Sequence, residues 1–352
     1  MSAELLSFTD RGIYCAEGGF YIDPWRPVDR ALITHGHSDH ARWGHGHYLS
    51  TKQALPVMRH RLGDIFAEGI AYGEPRQIGG VQVSFHPAGH VPGSAQIRVE
   101  RGGEVWVVSG DYKVEDDGLS EAFVPVPCHT FITECTFGLP LFRWQPQAVI
   151  AQQLAAWWVA NAAEGRSTIL AAYGLGKAQR LMTLLPDAGP ILTHGAVEET
   201  TRILRDQGYN LPPTIRVTAG VDAKSHPGAL IIAPPSALGT PWARRFGPSA
   251  EAFASGWMAL RGIRRRRGLD TGFVISDHAD WPGLNTAIRA TGAERVFVTH
   301  GYTTPFRRWL EEQGYDAGIV QTEFGGDEAD TDTEAEPDSA AESEAVVESK
   351  LL

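Results

Sequence analysis

The chain is predicted to be an α/β protein, on three observations. Short apolar strands crowd its first third, strand and helix patterns alternate after about residue 146, and a histidine-rich run follows one of the early strands. With 352 residues and 43% hydrophobic content it can bury one large core or two moderate ones, and its length points to about two domains.

Apolar runs near residues 30–34, 81–85, 95–100, 105–109 and 130–133 have strand length. A helical stretch covers about 146–163, followed by strand 168–172, helix 178–185, strand 191–193 and helix 197–207. After an apolar run at 230–233 and a Pro/Gly-rich stretch at 234–248, strand 272–276 leads into SDHAD. A helix near 283–290 and strand 295–299 then lead into HGY. No repeats are visible.

Charge is distributed unevenly. From Gly326 to Leu352 ten acids face one base, Lys350, so −9 of the formal −11 lies in the tail and −2 in the body. That tail has no aromatic residue and little to bury, which predicts disorder. Against the nearly neutral body, Arg261, Arg264, Arg265, Arg266 and Arg267 form a basic stretch next to Trp257. Such a cluster is either a solvated face or a nucleic-acid contact.

Three cysteines are too few and too irregular for a disulfide framework, and the odd number leaves at least one free thiol. No run approaches the roughly 18 apolar residues of a membrane span. The start MSAELLSFTD lacks the basic and apolar segments of a signal peptide. A cytoplasmic protein with no membrane partner is expected.

The most informative run is HGHSDH, His35 to His40. Imidazole nitrogen and carboxylate oxygen suit zinc or manganese, and so polar a stretch is costly to hold together without a cation. His35 and His37 can reach one ion from a looped backbone, and Asp39 and His40 can turn toward a second. A lone H-x-H is more often a solvated loop, as we read Gly44-His45-Gly46-His47, which lacks the trailing acid and histidine. Further ligands are expected at other strand ends. His90 in AGHVPGS and Asp111 in SGDYK stand there, each beside a glycine that lets backbone approach an ion. Alone, each would be read as a packed residue or a turn.

In this series the chain resembles the metallo-β-lactamase superfamily, whose ligands run H-x-H-x-D-H, then His, Asp and a distal His. Glu134 in TECTFG, His278 in SDHAD and His300 in THGY resemble motifs A, B and C of its β-CASP nuclease branch, with 22 residues from His278 to His300. The phrases GDYKVEDDG, TFITECTFGLP, GLGKAQRL, ASGWM and SDHADWPGL are similar to the bacterial DNA ligase-associated exonuclease family, also labelled an mRNA 3′-end processing factor. The resemblance covers about residues 8–325.

It implies an αββα sandwich with an inserted α/β cassette: a first sandwich part at 1–147, the cassette at 148–268, the second part at 269–325, and the acidic tail at 326–352. It implies two divalent ions, Zn2+ or Mn2+, one held by His35, His37 and His90, the other by Asp39, His40 and His300, with Asp111 between them. Water activated there would attack phosphorus, Asp39 would help orient it, and His278, braced by Glu134, would protonate the leaving oxygen. His278 as an eighth ligand or a packed core histidine stays open. Two departures stand out. Motif C is His300, as in RNA-processing members, whereas Artemis-like DNA-cutting members have valine there. Cys135 replaces the usual serine.

Gly176-Lys177 resembles the end of a phosphate loop, but Ala171 and Ala178 stand where a glycine and a Ser/Thr are required, so it is no ATP site. Lys177 and Arg180, like Arg264 to Arg267, are candidate phosphate contacts, with a plain helix-surface position as the alternative. His86, His129, His194 and His226 are left as structural. Three functions are weighed: a DNA exonuclease acting with a DNA ligase in repair, a ribonuclease trimming or cutting RNA, and a non-catalytic scaffold, which would lack ligands. None is missing, and DNA is favoured over RNA on the subfamily phrases.

Overall fold

The computed structural model describes residues 4–186, 188–222, 224–262 and 268–320. The acidic tail at 326–352 and Arg264, Arg265, Arg266 and Arg267 lie outside the described residues.

Three sheets organise the chain. The first runs in order β1 (Ser7–Thr9), β2 (Gly12–Cys15), β3 (Phe20–Ile22), β4 (Arg30–Leu32), β5 (His47–Thr51) and β6 (Ala67–Ile70). The second is made by β7 (Arg76–Ile78), β8 (Val81–Pro87), β9 (Ala95–Arg101), β10 (Glu104–Val108), β11 (Thr130–Cys135), β18 (Arg295–Gly301) and β19 (Asp316–Ile319). Its β7–β10 segment is an antiparallel meander, whereas β11, β18 and β19 run parallel.

These two sheets face each other across one core. Ile13, Phe20 and Leu32 of the first pack with Val83, Ile97 and Trp106 of the second, all buried. Outside the first sheet, Met58 and Leu62 of α1 (Leu55–Leu62) cover Ala31 and Tyr48. Outside the second, Leu284 and Ile288 of α6 (Trp281–Thr291) and Phe306 and Leu310 of α7 (Thr303–Glu312) cover Phe131 and Val296. The layers are therefore helix, sheet, sheet, helix, each face hidden by its neighbour.

Between β11 and β18 the chain builds a third sheet, fully parallel, in order β14 (Ile215–Arg216), β13 (Ile191–Thr193), β15 (Leu230–Ala233), β12 (Ser167–Ala171), β16 (Ser249–Ala254) and β17 (Thr271–Phe273). β12 and β15 are buried on every residue, as strands with both faces covered must be. One face packs on α2 (Gln147–Ala163), α3 (Lys177–Leu184) and α4 (Gly195–Asp206), and α5 (Pro241–Arg244) packs on the other. The structure is thus α/β throughout its described residues, with seven helices.

The elements expected at 81–85, 146–163, 191–193 and 230–233 form within a residue or two at each end. Periodicity did not single out β1–β3, β5, β6, α1, β16 or α7: the strands and α1 are short, β16 directly follows the Gly/Pro-rich stretch, and α7 carries a proline in its first turn. The second H-x-H is also not all loop. His47 opens β5, and His45 is buried against Tyr48 at 5.0 Å between ring centroids. All three cysteines are free and buried. No described helix is long and apolar enough to cross a membrane.

Candidate metal centre

The histidine run is placed by β4 and held open by a residue the motif does not contain. Past β4, Ile33 still donates its amide to Leu49. Asp23 then fixes Thr34, accepting from its amide (2.8 Å) and its hydroxyl (2.6 Å). Beyond Thr34 the chain turns over itself, with the Ala41 amide on the His37 carbonyl at 2.8 Å, so that His35, His37 and His40 face one space instead of alternating. Gly110, at φ +56°, delivers Asp111 to the same place, and a Cβ there would meet Thr34 Cβ at 2.6 Å. Glycine is thus required by protein packing, where the sequence suggested approach to an ion.

Three imidazoles converge. His35 Nε2 and His90 Nε2 each lie 3.1 Å from His37 Nδ1. Their outer nitrogens are engaged elsewhere: His37 Nε2 on the Leu175 carbonyl (3.2 Å), His90 Nδ1 on the Asp277 carbonyl (3.0 Å), His35 Nδ1 on Thr34 Oγ1 (3.1 Å). A carbonyl only accepts, and the Thr34 hydroxyl donates to Asp23, so the outer nitrogens carry the protons and three bare lone pairs point inward. Such a trio is poorly satisfied by itself and suits a divalent cation. Burial and the neighbouring imidazoles, His40 foremost, hold His35 well below its ordinary pKa. Burial and His278 hold His90 down at about 3. Neutral imidazole is the ligand form.

A second group adjoins it. His40 gives Nδ1 to Asp23 at 2.7 Å, while its buried Nε2 has no hydrogen-bond partner and lies 3.5 Å from Asp39 and 3.4 Å from Asp111. The His300 ring is 5.4 Å from that of His40, and His300 adopts a left-handed φ of +54°. One oxygen of Asp111, Oδ2, lies 3.5 Å from His35, 3.4 Å from His40 and 3.7 Å from His90, which puts it between the two groups.

At the rim stands an acid–base pair. Glu134, fully buried at the end of β11, has its two oxygens 3.0 and 2.9 Å from His278 Nδ1. It also accepts from the Tyr112 amide (2.9 Å) and the Thr136 hydroxyl (2.5 Å). Burial pulls His278 down, but Glu134 and Asp111 outweigh it and its pKa rises to about 9. The imidazole is therefore charged at neutral pH.

Comparison with known proteins places this geometry. No family model matches the chain. It is 29% identical over 313 residues to a probable DNA ligase of Opitutus terrae, covering 88% of this chain and 30% of that protein. It is 31% identical to the endoribonuclease ysh-1 of Neurospora crassa, over 34% of this chain and 14% of that one. It is 23% identical to an RNase J-like protein of Methanocaldococcus jannaschii, over 54% and 53%. These similarities, to a probable DNA ligase and to proteins named as ribonucleases, agree with the resemblance carried by the ligand motifs. The chain spans about half or less of the length of each of these relatives. A solved protein of unknown function from Enterococcus faecalis V583 shares the fold, with a TM-score of 0.58 at 10% identity over 83% of this chain and 79% of that one.

All seven expected ligands lie in the two adjoining groups, with Glu134 and His278 beside them. Lys177 and Arg180 depart from the helix-surface reading. They are 4% and 2% exposed, not on the helix surface, and both turn to the buried Asp277, with Lys177 Nζ at 3.5 Å and the Arg180 guanidinium at 3.1 Å. Arg180 also donates to the Ser276 carbonyl at 2.6 Å. Their contacts hold the loop that carries His278. Sequence reasoning missed Asp23, Thr34, Thr136 and Asp277. Asp277 and Thr136 had a signal, their places within SDHAD and TECTFG.

Proposed function

We propose that this chain is a metal-dependent phosphodiesterase acting as a DNA exonuclease in ligase-linked repair. The observation that carries this reading is that 88% of the chain aligns with one stretch of a protein named probable DNA ligase, whereas the named ribonucleases align over about a third to a half of it. A DNA ligase or another repair protein is the partner this suggests, and the cytoplasm is the compartment. We read the third sheet and its helices as the β-CASP cassette; expected at 148–268 between sandwich parts 1–147 and 269–325, it extends a few residues further, because β17 (Thr271–Phe273) pairs with β16 as an edge strand of the third sheet.

His35, His37 and His90 would hold one divalent cation, Zn2+ or Mn2+, and Asp39, His40 and His300 the other, with Asp111 shared. Such ions supply Lewis acidity, making water acidic enough to yield a nucleophile near neutral pH and offsetting phosphoryl charge. The remaining chemistry belongs to the chain. Asp39, 46% exposed on its side chain, can accept a proton from the attacking water and orient it. His278, charged and braced by Glu134, donates its proton to the departing sugar oxygen. Asp23 and the Asp277 carbonyl keep His40 and His90 in the ligating tautomer.

A second reading, a β-CASP ribonuclease for RNA 3′-end processing or decay, is favoured by the endoribonuclease and RNase J-like relatives and by His300. End-labelled single- and double-stranded DNA and the matching RNA, offered with manganese or zinc, separate the two. A ladder of DNA products is expected. Products from RNA alone would overturn the DNA reading, and no cleavage of any strand would overturn phosphodiesterase chemistry.

A further inference from the structure

A tier of aromatic rings begins beside His278 and runs outward where the third sheet meets the loop after β11. The Phe137 ring lies 6.0 Å from His278, and packs on Phe142 at 4.9 Å, Trp144 at 4.7 Å and Trp257 at 4.8 Å. Tyr302 closes the tier, 5.8 Å from Phe142 and 6.4 Å from Trp257.

Three distant segments are shaped to make this contact. A Cβ on Gly256 would fall 2.4 Å from the Phe137 ring, so only glycine lets the turn after β16 seat there. Ser255 Oγ accepts the Trp257 amide at 3.3 Å and caps that turn. Trp144 is fixed by its indole N–H on the His278 carbonyl (3.0 Å) and its amide on Asp280 (2.9 Å). Phe137 and Phe142 are buried, but Trp144, Trp257 and Tyr302 are only half-buried, and the nearby Arg143 and Arg261 are exposed. Part of each of these three rings is therefore left open. Half-open rings beside an acid–base pair, with cations alongside, are the composition that takes unpaired nucleobases and their phosphates.

We infer that Trp257, with Trp144 and Tyr302, forms a stacking platform for one unpaired nucleobase of the strand whose phosphate ester meets His278, making single strands and frayed ends the substrate class. This rests on the phosphodiesterase reading above. His278 protonates the leaving sugar oxygen, so the nucleotide nearest the tier is the one on the leaving side, and its base is one sugar away. A base paired and stacked within a duplex offers no free face. Because every base has a π-face, the platform selects strandedness and not sequence.

The test is binding by the full chain in EDTA, where cleavage does not intrude. The probe is a fluorescein-labelled oligo-dT, alone or with one abasic position moved along it. Wild type is expected to bind the intact strand with quenching of tryptophan fluorescence, and to lose about tenfold in affinity when the abasic position falls on the platform. Trp257→Ala should weaken the intact strand by about the same factor and be insensitive to the abasic position, while Trp257→Phe restores most of both. Equal wild-type affinity for intact strand and every abasic strand overturns the platform without recourse to any variant, as does unchanged affinity in a folded Trp257→Ala protein. Wild-type protein that shows the stacking signature but cleaves nothing with metal overturns the phosphodiesterase reading alone. Cleavage with no stacking signature overturns the platform alone, and neither binding nor cleavage overturns both.

Discussion

The backbone carbonyl of Asp277 accepts the Nδ1 proton of His90 at 3.0 Å, while the Asp277 carboxylate is ion-paired to Lys177 and Arg180 of α3. An imidazole of the candidate ligand cluster is thereby oriented by a loop whose position is set from the third sheet. The neighbouring residue on that loop is His278. The two histidines stand 4.6 Å apart between ring centroids, one facing the ligand cluster and the other facing Glu134.

Breaking the ion pairs at Asp277 tests that coupling. Asp277→Asn leaves two buried cations without a counter-charge, for which about 3–5 kcal/mol of destabilisation is expected. Urea denaturation measures it. Burial alone would raise the Asp277 carboxyl, but Lys177 and Arg180 outweigh it and bring it to about 2, below the roughly 3.9 of an unfolded chain. Its contribution is therefore fully present above that unfolded value and is lost as pH falls toward 2. The variant should lack this acid-side dependence. An unchanged urea midpoint would show that the pair is not structural.

Ligand and proton donor are distinguished by metal content. Asp111→Ala is expected to lose bound metal and activity together. His278→Ala should keep its metal and lose about 10²–10⁴-fold in rate, the range for a general acid. Elemental analysis alongside cleavage assays reads both, and equal metal loss in the two variants would make His278 a ligand.

Glu134 should reveal itself in the pH profile. With its pKa raised to about 9, His278 is protonated through the neutral range, and the donor is lost as pH rises through that value. Glu134→Gln removes the opposing charge that sustains the shift, so the alkaline limb of the rate profile should move to lower pH. A slower enzyme with an unmoved limb would leave Glu134 as packing only.

Asp23 carries the clearest prediction outside the motifs. It bonds His40 at 2.7 Å and both polar groups of Thr34, so Asp23→Ala should free the His40 ring to tilt. Loss of an outer partner of this kind typically costs about 10–100-fold in metal affinity. Chelator competition measures it, and unchanged affinity would show that His40 is held by its other contacts.

Much of the candidate centre was legible because the residues that converge there come in short runs at strand ends, where residue type and spacing carry the chemistry. HGHSDH announces itself locally, and AGH, GD, TEC, SDH and THG become legible in series after it. Partners that act across the fold do not: Asp23 lies 17 residues before His40 and follows an unremarkable strand, and Thr136, for all its place within TECTFG, is an ordinary loop residue until its hydroxyl meets Glu134. Lys177 and Arg180 were legible as bases but not as buried ones. A helix read in isolation does not say which face its neighbours cover.

The amino-acid order by itself determined the α/β character, the donor types and the order in which the chain offers them, since these depend on local periodicity and on the chemistry of single side chains. Only the tertiary structure decided which nitrogen of each histidine faces inward, that Asp111 stands between two groups, and that Trp257 meets Phe137 beside His278. Several of those outcomes depend on segments more than a hundred residues apart, as for His37 with Leu175 and His90 with Asp277, whose approach is set by the packing of three sheets and not by any one stretch of chain.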